Sequence, residues 1–309
     1  MDSSGKTQPL LAAPSQYFAP RFSPDGKRLA LAVGPFGHGD IQVYDWQRDT
    51  MTRLTFTQRN LFPVWTPDGK HIAFESLSSA ADSIRWIRAD GAGEAQLLLE
   101  GKDLTKPYSF SPDGKRLAFE ERAVDLGRFD LLTLPLDVSD PEHPKPGKPE
   151  LFLRTPFDEY EPAFSPDGRW IAYSSDESGR FEVYVRPFPG AALAGSGKWQ
   201  ISTGGGMHPI WSRSGRELFW ESPDNHIMAA AYAAKADSFA TDKPRPWSKT
   251  QIFEISPPTW NVDPAPDSKR FAVFPRPDAT GEQKGSVHVT VLLNFFDELR
   301  RRVPAGSKN

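Results

Sequence analysis

Apolar and polar residues alternate along this chain in short runs, the period-two pattern of strands that bury one face. Arg28–Val33 and His71–Ser76 are clear examples, and each follows the same turn. An apolar residue comes first, then Ser or Thr, then Pro-Asp-Gly and a basic residue. The segments read FSPDGKRLAL from Phe22, WTPDGKHIAF from Trp65, FSPDGKRLAF from Phe110 and FSPDGRWIAY from Phe164. Two more are degraded, WSRSGRELFW from Trp211 and APDSKRFAVF from Ala265. With Pro24, Pro67, Pro112, Pro166, Arg213 and Pro266 as markers, the spacings are 43, 45, 54, 47 and 53 residues. A period of roughly 45–50 residues fits the four-stranded blade of a β-propeller.

The turn explains its own recurrence. Proline presets φ at the first corner, aspartate bonds nearby backbone, and glycine takes the left-handed position. Each motif therefore joins the innermost strand of a blade to the next, and its aspartate is structural. The pattern predicts an all-β, six-bladed propeller of four-stranded blades spanning 1–309. The blades cover about 17–57, 58–101, 102–155, 156–203, 204–256 and 257–296. Gln251–Ile255 is expected as the outer strand of the fifth blade, and 137–149 as a proline-rich surface loop. The last blade lacks an outer strand, and Thr7–Leu11 is the expected donor, pairing with Val287–Asn294 and closing the ring. Phe295–Val303 reads as a short terminal helix.

Composition narrows the classes. Hydrophobic residues make up 38% of the chain, ample for a core. Thirty-seven basic residues against forty acidic ones leave a net charge of −3, so there is no electrostatic case for nucleic acid. Cysteine is absent, which excludes disulfides, thiolate metal sites and a cysteine nucleophile. No apolar run approaches the roughly 20 residues of a spanning helix, so the chain reads as soluble and without a membrane segment.

The repeated FSPDGKRLAF-type motifs resemble those of TolB-like six-bladed propellers, relatives of the WD-repeat proteins. Three longer phrases narrow the resemblance: SSDESGRFEVYVRPFPG from Ser174, KWQISTGGGMHPIWSRSGRELFW from Lys198 and VTVLLNFFDELRRRVP from Val289. They are similar to the C-terminal sensory propeller of bacterial transmembrane serine/threonine protein kinases. This chain shows no Gly-rich nucleotide loop and no His-Arg-Asp triplet to go with it. The resemblance implies a sensor or interaction module without its own kinase domain, on the extracytoplasmic (periplasmic) side of a bacterial membrane. Its partner would be a small molecule, peptide or protein at the channel mouth.

Candidate chemistry lies where the inner strands converge. Aligning the repeats brings Glu161, His208 and Asp263 to one rim, with Tyr160, Trp260 and Asn261 placed to contact a ligand. Carboxylates with an imidazole suit a divalent cation: calcium or manganese by oxygen ligands, zinc where histidine joins. Such a metal would make the rim a hydrolase acting on an ester, lactone or phosphoester, with Glu161, His208 and Asp263 as catalytic candidates. The same polar residues also suit a channel that merely holds water. His38 sits in a loop that could reach the rim. Thr203-Gly204-Gly205-Gly206 invites a phosphate, but no helix follows to supply its N-terminus. A peptidase of the prolyl-oligopeptidase type would need an α/β-hydrolase domain, and no Gly-x-Ser-x-Gly elbow is present.

Overall fold

The computed structural model describes residues 1–11, 15–123, 127–189, 197–235, 238–252 and 261–274. Every named element is a strand, and the strands form six antiparallel sheets, each opening on the strand that leads into one repeat motif. The first blade runs outward through Tyr17–Phe22, Arg28–Val33, Asp40–Asp45 and Thr50–Arg53. The second runs through Asn60–Trp65, His71–Ser76, Ser83–Arg88 and Gln96–Glu100. In the third, Thr105–Phe110, Arg116–Arg122 and Phe129–Asp137 are followed by Glu150–Leu153. The fourth contains Glu159–Phe164, Trp170–Ser175, Glu182–Pro187 and Trp199–Gln200. The fifth begins Met207–Trp211, Glu217–Glu221 and Ile227–Lys235, and the sixth contains Val262–Pro264 and Phe271–Val273.

The core is divided into wedges between successive sheets. Phe18, Ile41 and Val43 of the first blade pack on Phe62, Ile72 and Phe74 of the second. Ala265, Ala272 and Phe274 of the sixth pack on Tyr17, Phe22 and Leu29 of the first, which closes the ring. Each buried aromatic or branched side chain contributes about 1.5–3 kcal/mol through removal from water. Directional bonds set the angle between blades. Trp65 Nε1 donates to the Arg21 carbonyl and Trp211 Nε1 to the Ala163 carbonyl, both at 2.9 Å.

The motif turns form a second ring. In the first, Asp25 accepts from Ser23 Oγ at 2.6 Å and from the Lys27 N–H at 3.1 Å, while Gly26 takes φ 69°. A methyl group on Gly26 would lie 2.9 Å from Cγ of Pro266, so the glycine also gives the neighbouring blade's proline room. Gly69 faces Pro24 and Gly168 faces Pro112 in the same way. Gly26 is thus required twice, by its φ and by the adjacent blade, and the other two by φ.

One expectation meets a different arrangement. The place beside Ile227–Lys235 is filled by Ser238–Thr241 and Arg245–Pro246, because that strand runs nine residues and hairpins back on itself. Gln251–Ile255 falls partly outside the described residues. The segment 137–149 is mostly exposed and is anchored at two points: Arg88 Nη1 donates to Glu142 Oε2 at 2.8 Å, and Lys145–Pro146 pairs with Leu136–Asp137. At the sixth blade, the Met1 amine donates to the Phe271 carbonyl at 2.8 Å and the Phe271 N–H returns a bond to Met1 at 2.9 Å. Thr7–Leu11 is not among the strands. Its expected partner, Val287–Asn294, and the helix expected at 295–303 lie outside the described residues.

Asp40, 2% exposed, clasps the first blade to the second. It accepts from Thr55 Oγ1 at 2.7 Å, Asn60 Nδ2 at 2.9 Å and Arg53 Nη2 at 2.5 Å. Asp40→Ala strands the buried donors of Thr55 and Asn60 and is expected to cost about 3 kcal/mol. Urea denaturation measures this as a lower midpoint; an unchanged midpoint would remove the clasp from the account.

Candidate functional site

Each of the first five inner strands slips register against its neighbour at one point, between Phe18 and Arg21, Leu61 and Val64, Pro107 and Ser109, Tyr160 and Ala163, and Met207 and Ile210. At four of these bulges a non-glycine residue is left-handed: Ala19 (φ 47°), Phe62 (φ 50°), Glu161 (φ 61°) and His208 (φ 59°). Proline follows in every case. The conformation costs on the order of 1 kcal/mol or more per residue, and a bulge re-aims the side chain it carries. Here that geometry turns Glu161 and His208 toward each other from adjacent blades.

His208 Nδ1 lies 2.5 Å from Glu161 Oε1, and Glu161 Oε2 accepts the His208 N–H at 2.8 Å and Ser174 Oγ at 3.2 Å. Burial alone would raise the Glu161 carboxyl, but the imidazole and these bonds hold it below its ordinary value. The same pairing outweighs burial at His208 and raises its pKa. Glu221 Oε2 stands 4.0 Å from His208 Nε2. One blade back, the Glu161 N–H donates to Glu120 Oε2 at 3.1 Å. Lys106 Nζ lies 3.4 Å from Glu120 Oε1 and over the rings of Phe62 and Phe129, 5.5 and 5.6 Å from their centroids. Glu75 is 1% exposed and neither carboxyl oxygen has a hydrogen bond. Burial pushes its pKa up to about 8 and that of Glu120 up to about 7, in both cases against the pull of Lys106.

Asp263 is held elsewhere. Its Oδ2 accepts the Phe22 N–H at 2.8 Å; burial raises its pKa while Arg21 and Arg213 oppose the rise. The buried Arg21 guanidinium feels Asp263, Tyr108 and Glu161 together, so it sits among the expected ligands rather than leaving them to converge. Glu161 and His208 meet; Asp263 does not join them in a ligand set. Among the described residues no group of three or more His, Asp or Glu side chains could hold a metal ion. Tyr160 is half-buried between Phe129 and Phe181, with centroids at 4.8 and 5.4 Å, and Asn261 is buried. Trp260 lies outside the described residues, and His38 is exposed in its loop. The Gly204 and Gly205 amides already serve an anion, donating to Glu182 Oε1 at 2.8 and 2.9 Å.

Lys106 stands in the aligned rim columns, but those columns missed the glutamates around it and His208, namely Glu75, Glu120 and Glu221. Their signal lies one strand further out. The residue seven after each motif aspartate or its equivalent is Ala32, Glu75, Glu120, Ser174, Glu221 or Phe274. A glutamate ending an apolar run there faces the channel.

At the opposite, motif-turn end, a cavity of about 370 Å³ is walled by Trp65, Phe110, Phe164 and Trp211 and ringed by Pro24, Pro67, Pro112 and Pro166. Arg213 replaces the fifth proline of this ring and donates to the Phe22 and Ser23 carbonyls at 2.8 and 3.1 Å.

Comparison with known proteins agrees with this architecture. Residues 3–141 match the family model described as the TolB beta propeller domain. The Tol-Pal system protein TolB of Anaeromyxobacter sp. (strain K) is 30% identical over 251 residues, covering 66% of this chain and 55% of that protein. A TolB-type structure from Agrobacterium tumefaciens superposes with a TM-score of 0.61 at 17% identity, covering 92% of this chain and 93% of the other. The gluconolactonase XC5397 of Xanthomonas campestris gives a TM-score of 0.59 at 15% identity, covering 93% and 90%. At such identities the structural likeness is one of fold alone. The chain spans 31–55% of the length of the curated relatives it matches. Its fold is that of the TolB-like β-propellers. Such a propeller supports a binding or interaction role, and no helix among the described residues is long and apolar enough to cross a membrane.

The raised carboxyl of Glu75 makes stability pH-dependent in a defined sense. Its contribution is complete below the ordinary carboxyl pKa and is lost as pH rises through about 8. Glu75→Gln is therefore expected to leave Tm unchanged near pH 4 and to raise it at pH 8.5. Parallel Tm curves for the two proteins across that range would show that Glu75 titrates normally.

Proposed function

We propose that this chain is a non-catalytic binding propeller that takes an extended peptide segment of a partner protein into the motif-end mouth of its channel. The observation that carries this reading is the 370 Å³ cavity, with aromatic and proline walls and a few fixed polar groups. Its charged groups are engaged within the protein: Asp263 with the Phe22 N–H, Arg213 with two carbonyls. These groups can orient a ligand, and among the described lining residues no nucleophile–base pair is present. The name of the Anaeromyxobacter relative, a Tol-Pal system protein, supports a protein partner. The same likeness supports an extracytoplasmic location, and the kinase-like phrases support a sensor role within a larger receptor.

A second reading, a metal-dependent hydrolase of esters, lactones or phosphoesters, has one observation in its favour. Glu161 orients the His208 imidazole as a carboxylate orients a general base. Calcium, manganese or zinc would have to find ligands beyond the Glu161–His208 pair.

Calorimetric titration with a library of extended peptides separates the two. Binding is expected to weaken about tenfold in Arg213→Ala, while His208→Ala binds as the parent does. Hydrolysis of gluconolactone in the presence of any of the three metals, abolished by His208→Ala, would replace the first reading with the second.

A further inference from the structure

The loop end of the channel, opposite the proposed peptide cavity, holds an unbalanced set of charges. Three carboxylates, Glu75, Asp82 and Glu120, are 1%, 3% and 0% exposed. They share one amine, that of Lys106. Both oxygens of Glu75 and Oδ2 of Asp82 lack a hydrogen bond, while Asp82 Oδ1 accepts the Ser78 N–H at 3.0 Å. The cause is local. Glu120 receives the backbone N–H of Glu161 from the next blade's bulge. For Glu75, one blade earlier, the corresponding residue is Pro107, which has no N–H to give. A buried carboxyl without a donor is expensive, and native proteins keep few of them.

The surroundings specify what would satisfy these oxygens. An anion would be repelled, and the described residues offer no metal-holding set. An ammonium group already rests there in the form of Lys106, over Phe62 and Phe129, as ring faces favour a cation. The Lys106 side chain is 22% exposed, so the cage meets solvent at the lysine itself. We infer that the loop-end mouth is a second binding site, in which Glu75 and Asp82 receive an alkylammonium group beside Lys106, such as a lysine side chain on a partner protein.

Charge balance follows. Glu75 faces Lys106, Asp82 and Glu120; Lys106 also faces Glu161, and Asp82 also faces Asp103 and Arg59. With its pKa near 8, Glu75 is largely protonated at neutral pH, and an arriving ammonium group expels that proton to solvent.

The test titrates the full chain at pH 7 with the peptide acetyl-Ala-Lys-Ala-amide and with its norleucine analogue. The lysine peptide is expected to bind at least about tenfold more tightly and to release up to about one proton, read from the dependence of the apparent enthalpy on buffer ionisation. Glu75→Gln is expected to lose about tenfold in affinity while melting no lower than the parent at pH 7. If that variant does not fold, Asp82→Asn serves for the same comparison. Equal affinity for the two peptides, no binding of the lysine peptide at millimolar concentration, or undiminished affinity in the variant would each overturn the proposal. Loss of peptide binding at the motif end would leave this result unaffected, since the two sites lie at opposite mouths.

Discussion

Everything distinctive about this channel depends on one constraint: six inner strands must converge on one axis while each remains paired to its own sheet. A straight strand would alternate its side chains between the two neighbouring blades. The bulge at Ala19, Phe62, Glu161 and His208 breaks that alternation and directs one residue per blade inward. The proline after each has no N–H to leave unpaired where the ladder is interrupted. Once several such residues share a narrow space with little water, their charges answer to each other. Glu161 and His208 shift each other toward their charged forms, whereas Glu75, which lacks a strong donor, is pushed toward its protonated form.

The two ends of the channel differ because the repeat differs at its two ends. At the motif end, glycine and proline pack turn against turn and leave an apolar, aromatic cavity. At the loop end, the strands enter through variable residues, and the carboxylates of the second strands gather around Lys106. A polar cluster packed this way is costly unless each group is satisfied. Most members are: Glu161 by His208 and Ser174, and Glu120 by the Glu161 N–H. Glu75 is the exception, and its isolation traces to a proline one blade away.

Much of the architecture was legible in the repeat. Pro-Asp-Gly turns at a period near 45–50 residues identify the blade, and alternation in runs such as Arg28–Val33 identifies the second strand. Outer strands were less legible because they are short and exposed; Thr50–Arg53 carries no apolar pattern at all. The fifth blade's outer pairing turned on the length of the alanine-rich strand Ile227–Lys235, which alternation does not limit. Glu142 gave no sign within its loop that it would dock on Arg88, since contacts between blades are not periodic. In the candidate site, alignment of the inner strands found Glu161 and His208. It could not show that Arg21 stands among them and Asp263, and it overlooked the glutamates of the adjacent strand.

The most direct measurement is a pH titration of the side-chain carboxyl carbons by NMR in protein labelled at glutamate. The account requires one carboxyl, missing from the spectrum of Glu75→Gln, to titrate near pH 8, and the Glu161 carboxyl to titrate below the ordinary range. If every glutamate instead titrated between pH 4 and 5, the channel would be open to water, and both the paired charges and the vacant acceptor would be absent.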